Sequence, residues 1–277
     1  MTWVLAFWLM ASPAVQSFEL VWSTLRDHYW DASMAGLNWQ KVHDEYLPKV
    51  EAARNLDEAR RVMEEMIHKL PSSHLALIWP KAGAGLPRPV VDHRRLGGDA
   101  SYIRLNIFLD PVSVMPEFER AISDLRNTAG IVLDLRGNPG GLELMAPGIA
   151  GWFVGDEGKI LGTMTGRASK IDFEINPRPE PYNGKLAILI NGASGSTTEI
   201  LAQGLKDLGR ARLFGSRTMG QALPSQVIQL PDGDRFQYPE ANYTSLKGRV
   251  LEGQGVEPDV AVSDDLALQA AVNWIGK

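Results

Sequence analysis

Two stretches decide the fold: Gly130-Ile-Val-Leu-Asp-Leu-Arg-Gly-Asn-Pro-Gly-Gly141 and Lys185-Leu-Ala-Ile-Leu-Ile-Asn-Gly-Ala-Ser-Gly-Ser-Thr-Thr-Glu199. Each begins with a short, almost wholly apolar run, as expected of a strand buried on both faces. Each then enters small, turn-forming residues and a helical pattern, over residues 141–153 after the first and residues 197–208 after the second. A glycine-rich turn between strand and helix exposes backbone N–H groups that can hold an anion or a developing oxyanion. Glycine dihedrals alone would also explain the first turn. In the second, Ser196 falls at the helix N-terminus, which suits a nucleophile whose attack creates negative charge. Ser194, Ser196 and Thr197 would equally serve as plain helix caps.

Outward from these stretches, strands alternate with helices. Residues 101–109 alternate like a strand, 114–125 read as a helix, 211–214 as a short strand and 266–275 as a closing helix. Residues 227–230 and 235–238 flank Pro231-Asp232-Gly233-Asp234, a hairpin signal. Such alternation predicts an α/β layer architecture over 100–277. Residues 17–79 differ in kind. Phe18, Val21, Trp22, Leu25 and Tyr29 line one helical face; a second helix starts near Asn38 and is expected to end at Pro48. A third begins at Asn55, with Glu58 at the capping-box position, and stops at Pro71. Residues 80–99, rich in Gly and Pro, read as a linker. Residues 1–16 contain the apolar run Trp3-Val-Leu-Ala-Phe-Trp-Leu9, too short to span a bilayer. It resembles a signal segment and points to export, although no basic residue precedes it.

Composition narrows the function classes. The 277 residues are 44% apolar and 22% charged, an ordinary globular mixture. A net charge of −5 argues against nucleic acid as a partner. With no cysteine, disulfides, Cys-ligated metals and a thiol nucleophile are excluded. No spacing of histidines suggests a metal, and no cofactor is expected.

In order, GIVLDLRGNPGG, LAILINGASGSTTEILAQGLKDLGRARLFGSRTMGQ and GRVLEGQGVEPD resemble the S41 peptidases, over about residues 100–262. That family contains the C-terminal processing (tail-specific) proteases and the tricorn core. The resemblance implies an α/β fold, a ClpP/crotonase-like core with an N-terminal helical domain, and a peptide or unfolded protein as substrate. It implies Ser196 as nucleophile, three positions before Glu199. The oxyanion hole would be the N–H of Thr197 with that of Gly140 or Gly141. Processing proteases take their base from a lysine in T-F-G-K; that register reads Thr218-Met219-Gly220-Gln221 here, and an amide cannot accept the proton. Tricorn-like members use a serine–histidine pair and a late glutamate instead, which fall on Ser73, His74 and Glu252. His74, with an unperturbed pKa near ~6.5, would be the general base, and Glu252 and Ser73 would orient or polarise it. The family's PDZ domain would sit in residues 75–100, too short a stretch for a fold of roughly 80 residues. Loss of that domain bears on tail specificity. The competing readings are a non-catalytic apolar-ligand or peptide carrier, an acyl-CoA enzyme, and an inactive remnant lacking PDZ. Oligomeric state is left open, a homo-oligomer included.

Overall fold

The computed structural model describes residues 11–79, 89–97 and 99–277. The apolar run at residues 3–9 and the Gly/Pro-rich residues 80–88 lie outside these. The described chain divides into two compact units: residues 11–79, 166–169 and 223–242, and residues 89–165, 170–222 and 243–277. Among the described residues no helix is long and apolar enough to cross a membrane.

The first unit contains α1 (Pro13–His28), α2 (Trp39–Glu51) and α3 (Leu56–Ile67). Asn38 and Asn55 cap α2 and α3, their side chains accepting from Lys41 N–H and Glu58 N–H at 3.0 and 2.9 Å. The expected stop at Pro48 is corrected: α2 runs on to Glu51. A proline this near a helix end removes one hydrogen bond. Tyr46 and Val50, on either side of it, are both buried, and that packing keeps the last turn helical.

Strand β1 (Ala76–Ile78) and a hairpin far along the sequence, β9 (Ser225–Gln229) with β10 (Arg235–Pro239), form a three-stranded antiparallel sheet in the order β1-β10-β9. Leu230, Phe236 and Tyr238 pack with Phe18, Met63 and Met66 in one core. Residues 223–242 therefore belong with the helices, whereas the sequence reading placed them in the 100–277 core; long-range packing outweighs chain order. Arg60 grips the buried Asp234 with Nε and Nη2 at 2.6 and 2.7 Å, pinning α3 to the hairpin. Arg60→Ala would strand a buried carboxylate and is expected to cost about 3 kcal/mol. Urea denaturation measures this, and a loss below about 0.5 kcal/mol would show that the pair contributes no more than a surface contact.

The second unit is built on a six-stranded sheet, order β12-β8-β7-β4-β3-β2. Its strands are β2 (Val91–Arg95), β3 (Ala100–Leu105), β4 (Gly130–Asp134), β7 (Lys185–Ile190), β8 (Arg212–Gly215) and β12 (Val260–Ala261). All pairings are parallel except the antiparallel β2–β3. Strand β2 takes residues 91–95 out of the expected linker and into the sheet edge. Side chains alternate across β4 and β7. Ile131, Leu133, Leu186, Ile188 and Ile190 face a core shared with α4 (Pro111–Leu125), α5 (Met145–Ala150) and α6 (Thr197–Asp207). Val132, Ala187 and Leu189 face α7 (Asp264–Ile275). This two-sided burial explains the unbroken apolar runs. Helix α5 is shorter than the helix expected over 141–153: Leu142 N–H bonds the Phe108 carbonyl at 2.6 Å, and the bridge between Phe108 and Gly141 delays the helix start. The sequence reading did not anticipate β5 (Ile160–Gly166), β6 (Lys170–Glu174) and β11 (Ala241–Ser245), which form the third sheet, order β11-β5-β6.

Candidate active site

Adjacent parallel strands β4 and β7 end side by side, so both predicted turns leave from the same, carboxyl-terminal edge of the sheet. That edge is where open α/β sheets place their ligands. Buried Asn138 ties the two turns together. Its Nδ2 donates to the Leu105 carbonyl at 2.9 Å, and its own carbonyl accepts from Gly195 N–H and Thr198 Oγ1, each at 3.0 Å. Behind the first turn, buried Asp134 accepts from Tyr102 Oη at 2.8 Å and from Arg136 Nε and Nη2 at 2.9 and 2.7 Å. Burial works against that carboxylate, yet the Arg136 hydrogen bonds hold it below its usual range.

Ser196 is the N-cap of α6, as its place in the sequence predicts. Its backbone is strained, with φ 55° and ψ −122°. A non-glycine residue in that region costs about 1–3 kcal/mol and persists only when its surroundings hold it. A strained serine at a strand-to-helix turn carries its hydroxyl up and away from the sheet. The side chain is only partly buried.

Gly140 approaches this serine so closely that an added Cβ would lie 2.6 Å from Ser196 Cβ and 2.9 Å from Thr197 N. The structure also separates the two glycines that the sequence left as alternatives. Gly140 N–H is consumed by Asn138 Oδ1 at 2.9 Å. Among the described residues, the N–H groups of Gly141 and Thr197 have no acceptor. Thr197 Oγ1 holds the Gly141 carbonyl at 2.9 Å, which orients that peptide. A cavity of about 410 Å³ is lined by Pro111, Met115 and residues 142–145, with Glu143, Asn176 and Arg178 as its charged and polar members.

The segment in the lysine register lies against the serine by its backbone: Ser196 N–H donates to the Gln221 carbonyl at 2.8 Å, while the Gln221 side chain is exposed. Next to it, Ala222 N–H donates to Glu252 Oε2 at 3.2 Å. Gly253 N–H reaches the Gly220 carbonyl at 2.9 Å. Ser196, Thr197, Gly140, Gly141 and Glu252 thus belong to the second unit, with Glu252 beside the loop that touches the Ser196 turn. Ser73 and His74 belong to the first. There, Ser73 Oγ and His74 Nδ1 are 2.8 Å apart. His74, like Ser196, is a non-glycine residue at positive φ, 59°.

Two residues central to this geometry were not singled out from the sequence as site residues: Asn138 and Glu199. The second had a legible signal, since Ser196 and Glu199 have capping-box spacing. Glu199 is fully buried, and burial raises its pKa against the opposing hydrogen bonds from Thr218, Gly220, Gln221 and Ser196.

A pair of parallel strand ends presenting a strained serine against a glycine turn defines the class: an α/β protein with a serine turn at the carboxyl-terminal edge of its sheet. Comparison with known proteins assigns the family. Residues 99–262 match the model of peptidase family S41, and residues 14–68 match the tricorn protease C1 domain. The chain belongs to peptidase family S41. A probable CtpA-like serine protease of Staphylococcus aureus is 33% identical over 134 residues, which are 48% of this chain and 27% of that protein. Its counterpart in Staphylococcus epidermidis is 30% identical over 135 residues, with the same coverage. The match therefore spans about a quarter of the curated relatives' length. Among solved structures, the photosystem II D1 C-terminal processing protease superposes with TM-score 0.74 at 18% identity, covering 96% of this chain and 98% of that one. The tricorn protease gives 0.69 at 16% identity, covering 95% and 37%. A lipoprotein from Streptococcus agalactiae gives 0.77 at 19%, covering 96% and 97%. At these identities the likeness is one of fold, and the fold is the α/β core with a helical N-terminal part that the sequence predicted.

Proposed function

We propose that this chain is a serine endopeptidase that hydrolyses peptide bonds in peptides or unfolded proteins through an acyl-enzyme on Ser196. The observation that carries the reading is the strained, partly exposed Ser196 set against the Gly140-Gly141 turn, with two neighbouring N–H groups that find no acceptor among the described residues.

The steps follow from the chemistry of the groups. Ser196 Oγ attacks the scissile carbonyl, and His74 Nε2 takes its proton. The Gly141 and Thr197 N–H groups receive the oxyanion; Gly140 only brings the turn close. His74 then returns the proton to the leaving amine, and water releases the acyl group by the same route. For Nε2 to carry the lone pair, the proton must sit on Nδ1, which then donates to Ser73 Oγ. Ser73 thereby selects the tautomer and fixes the ring. Glu252, held by Ala222 N–H, supplies negative charge near the loop that touches Ser196 and polarises the site. The cavity beside Leu142–Met145, mostly apolar but edged by Glu143, Asn176 and Arg178, suits a substrate's non-polar side chain with a polar group beside it. The apolar residues 3–9 support export, which cell fractionation tests.

The test is a fluorophosphonate probe followed by peptide mapping. The wild-type protein is expected to take up one label, on Ser196, and to cleave casein; Ser196→Ala is expected to do neither. Casein cleavage that survives Ser196→Ala would overturn the mechanism.

A further inference from the structure

The steps above leave Glu199 unused, although its carboxylate sits wholly buried one helical turn from the nucleophile. Four donors reach it. Oε1 accepts from Thr218 Oγ1 and from Gly220 N–H at 2.8 Å. Oε2 accepts from Gln221 N–H at 2.9 Å and from Ser196 N–H at 3.0 Å. These donors come from two separate chain segments, the serine turn and the Thr218–Gln221 loop. Those segments also touch directly, through Ser196 N–H to the Gln221 carbonyl and Met219 N–H to the Ser194 carbonyl. The loop in turn carries the contacts that hold Glu252.

An apolar side chain of the same size would fill this space without the cost of burying a charge, which is several kcal/mol unless donors repay it. Here the donors join the serine turn to the loop that lies against it. A serine at φ 55° and ψ −122° must be restrained from outside. An ionised carboxylate that grips its N–H supplies such restraint, and the bond is stronger than one to a neutral acceptor.

We infer that Glu199 is a positioning residue for Ser196, its carboxylate clamping the strained serine backbone to the Thr218–Gln221 loop and so setting the direction of the attacking hydroxyl. The inference rests on Ser196 being the nucleophile. The Glu199 carboxylate acts on Ser196 through the serine's backbone N–H.

The experiment compares wild type, Glu199→Gln and Thr218→Val in the full chain. Active sites are titrated with a fluorophosphonate, and kcat and KM for a casein-derived peptide are referred to titrated sites. Glutamine keeps the size but turns one oxygen into an NH2 group that faces donors. Its expected effect is a kcat per titrated site about 10- to 100-fold lower, with KM within about twofold, because sub-ångström misplacement of a nucleophile costs rate rather than binding. Thr218→Val removes the hydroxyl donor to Oε1, and its expected loss is about threefold. A purely structural role would lower the titratable fraction and leave kcat per titrated site unchanged; that result in Glu199→Gln would overturn the inference. If Glu199→Gln does not fold, an unchanged kcat per site in Thr218→Val overturns it instead. Hydrolysis surviving in Ser196→Ala would reject the nucleophile assignment and is read separately.

Discussion

Casein hydrolysis by the His74→Ala protein is expected to fall by a factor of about 10³ or more, with the fold retained. A serine hydroxyl needs a base, and the residue in the lysine register, Gln221, has none to offer. The structure adds that Gln221 meets the site through its main chain: its carbonyl accepts from Ser196 N–H and its own N–H donates to Glu199. Its side chain is exposed. Gln221→Ala therefore keeps every one of those bonds, and its activity is expected within about threefold of wild type. His74, whose Nδ1 lies 2.8 Å from Ser73 Oγ, is the residue proposed for the task. His74 already bears the strain of φ 59°, so an alanine there adds no backbone strain of that kind and is expected to fold. Circular dichroism checks the fold and a casein assay the activity. An inactive Gln221→Ala beside an active His74→Ala would reverse the assignment.

Gly140→Ala is expected to be inactive and less stable by about 3 kcal/mol or more. The new methyl group would lie 2.6 Å from Ser196 Cβ, 2.8 Å from the Gly195 carbonyl oxygen and 2.9 Å from Thr197 N. Two of those neighbours are backbone atoms and cannot swing aside. The backbone at φ +99° is strained for any L side chain as well. Relief requires the two turns to part, which moves the Gly141 N–H away from Ser196 and from the Thr197 N–H. Gly137→Ala is the control: its φ is +73°, but an added Cβ meets nothing nearer than Arg104 Nη2 at 4.0 Å. It should lose about 1 kcal/mol and keep its activity. Melting temperatures and casein cleavage of the two variants decide the matter; a fully active Gly140→Ala would mean that contact between the turns is not needed for the chemistry.

Local chemistry was enough for much of this protein. The apolar runs at 130–135 and 185–191 specify strands buried on both faces, because no polar residue interrupts them. Asn38 and Asn55 specify helix starts, because their side chains reach an N–H three residues on. Pro231-Asp-Gly-Asp234 specifies a hairpin. The order of the three blocks led to the family, to Ser196, and to His74 and Glu252 as candidates. Tertiary structure decided what depends on partners distant along the chain. It took residues 223–242 out of the second half and placed them on the N-terminal helices, since Phe236 and Tyr238 find their apolar surroundings there. It carried α2 through Pro48, because burial of Tyr46 and Val50 outweighs one lost hydrogen bond. It separated Gly141 from Gly140 by giving the latter's N–H to Asn138, and it gave Glu199 four donors from two segments. Periodicity and capping are properties of neighbours in sequence, whereas the acceptor that a given N–H finds depends on which distant segment the fold brings within about 3 Å of it.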